Sequence, residues 1–332
     1  LVLEAGRSQT LNGGVLRLTT GRSRDLSSGE MSIETPNAGS NGVSGSINII
    51  TGTSSRGNSG VLHLVTGEAL YGRGGEISLA VGAGNVGDGG ELALSAGATS
   101  DAGSSGGAVR LGGGEGRNPN TDNGGNGGGI FLSGGSSLGN SHRDSGGDVD
   151  IRGGDADGGK GGNVFIGSGQ SVDMSSGAVA IGTSNSGAAG ASGSFSLMTG
   201  GSLAGTSGNI LLSTGQATVG RGGSALLRVG EGDLGNGGDI QLQAGTTTAK
   251  ASIGGRVELR GGLGASSHTA DGGDGGTVAI LGGESAGAST QDRGGGAELA
   301  GGAAAVGFGG SVALRSGSST ESSSGDISVQ TA

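Results

Sequence analysis

The apolar positions of this chain come in pairs. In residues 59–67, SGVLHLVTG, Leu62 and Leu64 flank the polar His63, with Gly60 before them and Gly67 after. The same pattern follows in residues 74–82, GGEISLAVG, and 89–97, GGELALSAG. Numbered by its closing position, the unit ends at 6, 21, 36, 52, 67, 82, 97, 114, 135, 154, 169, 184, 200, 215, 230, 245, 262, 283, 302, 317 and 332. Of these 21 closing residues 18 are Gly, the others being Pro36, Ser184 and Ala332. Seven residues before every closing residue from 21 onward stands an opening Gly, 20 in all. Five and three before it stand apolar residues in every unit, Ile47 and Ile49 or Val312 and Leu314 for example. Between and beside them the residues are mostly polar. Alternation of this kind over a short run predicts a strand with one face in and one face out. Glycine at this frequency, each costing about 1 kcal/mol against Ala in a helix, excludes helix.

A second period lies over the first. The spacings between closing residues run 15, 15, 16, 15, 15, 15, 17, 21, 19 and then repeat, so residue i corresponds to residue i + 148. Ile49 corresponds to Leu197, Thr66 to Thr214 and Arg73 to Arg221. Fifteen residues suit one circuit of a narrow solenoid: a strand, a turn, a thin opposite wall and another turn. Circuits would then stack by main-chain bonds at about 4.8 Å. The expected fold is therefore all-β, a parallel β-helix of 21 coils, with glycine at corners that need positive φ or close approach. Residues 1–332 read as one continuous solenoid, with copies at 7–154 and 155–302 and a partial third at 303–332. The long coils, 98–154 and 246–302, predict lateral bulges. The absence of an atypical terminal unit suggests a longer array.

Composition narrows the classes of function. Gly is 87 of 332 residues, aromatics are 2 % and there is no Cys or Trp. No bulky core, disulfide or thiolate metal site can be built from this inventory. A net charge of −10 disfavours nucleic acid. No run of about 18 apolar residues is present, so no membrane insertion is expected. None of the Asn residues lies in an N-x-Ser/Thr acceptor site, although Ser/Thr-rich turns such as 318–324 could carry O-linked glycans.

Few residues suggest chemistry. Asp122 and Asn126, and their second-copy neighbours Asp271 and Asp274, place oxygen ligands on Gly-rich turns and are the candidate Ca2+ residues. Their spacing fits neither the EF-hand nor a nonapeptide Ca2+ repeat, and the same residues serve turns by local hydrogen bonds. His63, His142 and His268 lie in different units and their period equivalents are not His, so no His cluster is expected. Strings of the form G-x-G-x-x-G open no helix and carry no dinucleotide reading. Thr20, Thr35, Thr51 and Thr66 occupy one column, as in some ice-binding solenoids, but with the parity of the apolar pair. No unit differs from the rest as a catalytic cleft would, so no enzymatic activity and no cofactor is expected.

The S-G-x-I-x-L-x-T-G repeat resembles, over the whole chain, the tandem-repeat β-solenoid proteins of cell surfaces: adhesin stalks, fibre shafts and mastigoneme-like filaments. That resemblance implies an extracellular or cell-surface location and a passive structural role as a filament shaft, with the long coils as lateral contacts. The partners it implies are copies of itself, further repeats of the same polypeptide, and glycans. A binding module, gripping ice or polysaccharide with a flat repetitive face, is the alternative. No functional residue is carried over.

Overall fold

The computed structural model describes residues 1–120, 122, 124–268 and 270–331. The closing residue Ala332 and Asn123 of the candidate Ca2+ turn lie outside these. The chain divides into two compact units, Leu1–Gly177 and Ala178–Ala332. In both, the architecture is the same alternation of straight segments and loops. Every bend of the described backbone falls between a closing residue and the next opening Gly, at 9–11, 24–26 and 40–41, for example, and never within an apolar segment. Bends recur with the long period: 24–26, 172–174 and 320–322 correspond, as do 85–88 and 233–236.

The parallel β-helix is not formed. Among the described residues there is no helix and no strand, and no sheet joins one segment to the next. A solenoid ladder would link residues one coil apart. The backbone bonds present instead close the loops, with the opening Gly donating to the preceding closing Gly. Gly14 N–H to Gly6 O (2.8 Å) and Gly29 N–H to Gly21 O (2.9 Å) are the first two. The alternation in the sequence specifies which side of a segment is apolar. It does not specify which segment is its partner, and two aliphatic residues per unit, about 3–6 kcal/mol if buried, do not by themselves order fifteen residues.

At many opening positions glycine has a steric cause. A Cβ at Gly14 would stand 2.9 Å from Gly6 N, at Gly90 2.7 Å from Val81 Cγ1 and at Gly162 2.9 Å from Gly154 N. At all 18 closing glycines, by contrast, nothing lies within 4 Å of an added Cβ. That openness accounts for Pro36 and Ser184 at closing positions, while all 20 opening positions hold Gly. Positive φ, the other reason expected for glycine, is found only inside loops: Gly87, Gly103, Gly220, Gly235 and Gly307.

No side chain among the described residues is buried, and there is no hydrophobic core. The accessible surface is 33411 Å², against about 12,000 Å² for a compact monomer of this mass and about 45,000 Å² for an unfolded one. Of the six half-buried residues among those described, Thr35, Gly134, Gly153 and Ala244 stand just before a closing position, and Ser171 and Gly264 two residues after one.

Candidate functional site

The feature most able to act on another molecule is the set of apolar segments. In segments such as 128–135 the paired apolar residues are less exposed than the residue between them. Ile130 and Leu132 are 52 % and 66 % exposed while Phe131 between them is 95 % exposed. Val164 and Ile166 flank Phe165 in the same way. The paired residues themselves remain exposed in every described segment. Such a surface carries apolar area with main-chain donors and acceptors along its length.

The residue before the closing position determines how each loop is shut. Where it is Gly, Ala or Ser, the backbone bond across the loop forms, as at Gly107–Gly97 after Ala96 (2.8 Å), Gly162–Gly154 after Gly153 (2.8 Å) and Gly325–Gly317 after Ser316 (2.9 Å). Where it is Thr or Val, the β-branched side chain occupies the space against the opening Gly and the backbone bond is absent; Thr20 alone has both. Three of the threonines also bond across the loop through their hydroxyls. Thr20, Thr35 and Thr66 Oγ1 donate to Gly29 O (2.9 Å), Gly45 O (3.1 Å) and Gly75 O (3.2 Å). These hydroxyls are engaged within the chain, in keeping with the parity of their column.

A second device sits two residues after the closing position. Ser8, Ser23, Ser171 and Ser202 Oγ accept from the N–H three residues on, at 2.9, 3.0, 2.9 and 2.9 Å. Ser319 does the same for Ser322 at 2.8 Å. Short hydroxyl turns of this kind hold a loop without a core. Sequence reading passed over this column although its signal, Ser at a fixed offset from the closing Gly, is visible in the repeat.

The long loops are shut at the base like the short ones: Gly128 N–H to Gly114 O, Gly147 N–H to Gly135 O, Gly276 N–H to Gly262 O and Gly295 N–H to Gly283 O, each 2.8 Å. Their extra residues leave the segment line and return to it. A neck forms within two of them, where Gly116 and Gly264 face the backbone of Gly125–Asn126 and Gly273–Asp274 so closely that no Cβ would fit. In the other two, Ser141 N–H and Ser289 N–H donate to Asp144 Oδ2 (3.0 Å) and Asp292 Oδ2 (2.9 Å).

The candidate Ca2+ residues lie on the necked loops. Asp122 N–H donates to Asn120 Oδ1 (2.9 Å) and Asp271 N–H to His268 Nδ1 (3.2 Å), while Ser266 Oγ donates to Asp271 O (3.5 Å). Asn126 and Asp274 contribute backbone to the necks. Among the described residues no group of three or more His, Asp or Glu is placed to hold a metal ion. His63, His142 and His268 are on separate loops or segments and are all exposed.

Charged side chains pair locally along segments and loops. Arg152 meets Asp150 (2.7 Å), Arg117 meets Glu115 (2.7 Å), and Glu258 sits between Arg256 (2.7 Å) and Arg260. Exposed pairs of this kind contribute little to stability, about 0–1 kcal/mol each. Among the described residues no helix is long and apolar enough to cross a membrane. No family model, curated protein or solved structure matches this chain.

Proposed function

We propose that this chain is a structural protein that builds the shaft of an extracellular filament or cell-surface appendage, with its long loops as lateral contacts. One observation carries the reading: every apolar pair is left open on a backbone whose loop geometry recurs every 148 residues. Monomeric soluble proteins rarely leave large contiguous apolar surface uncovered, and such surface marks an interaction site. A site present once would suggest a single ligand. A site repeated at fixed intervals suits a partner with the same intervals, and copies of this polypeptide provide one. The alternative is a binder of ice or polysaccharide; within the threonine column, Thr20, Thr35 and Thr66 place their hydroxyls on backbone carbonyls of their own chain.

Concentration-dependent sedimentation combined with electron microscopy tests the reading. Elongated assemblies that grow with concentration and carry regularly spaced side projections are expected. A chain that stays monomeric at every concentration, or forms compact particles, would refute it.

A further inference from the structure

The segments have an unspent capacity for main-chain bonding. The backbone–backbone bonds of the described residues, 17 in all, close loops or lie within them. A folded chain of this length usually makes roughly one hydrogen bond per residue. Straight runs with free N–H and C=O groups and an alternating apolar face are templates for strand addition. The occupant must present segments at the same intervals, including the unequal spacings of 17, 21 and 19 residues. Two copies of this chain bring those spacings into coincidence at a displacement of zero or of 148 residues.

Charge chooses between the two. At zero displacement every Asp, Glu, Lys and Arg lies on its own kind, 46 in all. At 148, residues 1–184 of one copy lie on 149–332 of the next. Of the 28 charged residues in that first stretch, six then meet a like charge, Arg73 on Arg221 among them. Three meet an opposite charge: Glu4 on Arg152, Arg7 on Asp155 and Arg110 on Glu258. The other 19 meet uncharged residues. Like charges directly opposite across a strand pair are destabilising, and at about 4.8 Å they lie well inside the Debye length at physiological salt. The area available is also ample, since a stable interface needs only about 1,200–2,000 Å².

We infer that the apolar segments dock a second copy of this chain, main chain to main chain, displaced by one 148-residue period. The inference rests on the filament reading above. Each copy then leaves one period uncovered for the next, so the contact is heterologous and open-ended. The pairing is between chains, and no chain coils on itself.

Cross-linking in the full chain tests the displacement, and the absence of native Cys makes it clean. Asn48 and Ser196 are 148 residues apart, both exposed and both at the polar position between an apolar pair. A disulfide needs Cα atoms about 4.4–6.8 Å apart, which neighbouring strands provide. Asn48→Cys and Ser196→Cys chains are mixed in equal amounts, assembled and oxidised. The displaced contact gives at least ten times more mixed dimer than either homodimer. Predominant homodimers would overturn the displacement while leaving the filament reading intact. Assemblies, visible by microscopy, that form neither cross-link would overturn main-chain pairing between these segments. Chains that remain monomeric by sedimentation would overturn both readings.

Discussion

Gly153→Val tests the rule that the residue before the closing position decides whether a loop is shut by its backbone. A Cβ on Gly153 would run into the carbonyl of Gly162, whose N–H donates to Gly154 O at 2.8 Å. Eight loops already carry a β-branched residue there without that backbone bond: those after Thr35, Thr51, Thr66, Val81, Thr183, Thr199, Thr214 and Val229. Valine at 153 should convert its loop to this second type. An intramolecular backbone bond is worth about 0.5–1.5 kcal/mol net, so protection of the Gly162 amide against exchange should fall by about 2- to 13-fold. Amide exchange followed by NMR reads this directly, with Gly310, which donates to Gly302 O at 2.8 Å, as the control one period away. The reverse change, Val81→Gly, should raise protection of the Gly90 amide by a similar factor. Unchanged protection at Gly162 in the first variant, or at Gly90 in the second, would refute the rule.

Three further changes probe the loops. Gly90→Ala forces a Cβ to 2.7 Å from Val81 Cγ1, whereas Gly82→Ala meets nothing within 4 Å; NMR shift changes should spread across the loop in the first variant and stay local in the second, and comparable spread in both would contradict the steric account. Ala251 has φ +58° where its period equivalent Gly103 has +79°; Ala251→Gly should relieve about 1 kcal/mol and raise protection of the Gly255 amide about fivefold, and lower protection would count against strain at this position. Ser171→Ala removes the acceptor for Met174 N–H; exchange at Met174 should quicken by about fivefold, at the usual worth of about 1 kcal/mol, while Leu26 keeps its rate, and no change at Met174 would show that the hydroxyl turn does not hold the loop.

The repeat, its unequal spacings and the straight character of each segment were legible in the sequence, because alternation and glycine spacing report local backbone behaviour. The role of the opening glycines was legible in part. Close approach was foreseen, and the invariance of Gly14 through Gly325 against the tolerance shown by Pro36 and Ser184 already separated the two glycine columns. What failed was the step from strand pattern to sheet. Pairs such as Ile77 and Leu79 state that one side is apolar, and a partner in the same chain was inferred from the fifteen-residue spacing, which names no residue to pair with. The hydroxyl turns at Ser23, Ser171 and Ser319 were readable from their fixed offset. The β-branched control at Thr51 or Val81 was not, since its effect depends on how near the next opening Gly returns.

Amide exchange of the whole chain, measured in dilute solution and again after assembly, bears most directly on the unpaired segments. In the dilute chain, protection should be confined to loop-closing amides such as Gly107, Gly162 and Gly276, with segment amides such as Ile47 to Ile49 exchanging freely and gaining protection only on assembly. Segment amides already protected in the dilute monomer would mean that the chain pairs its own segments, and the contact between copies would then have no main-chain groups left to use.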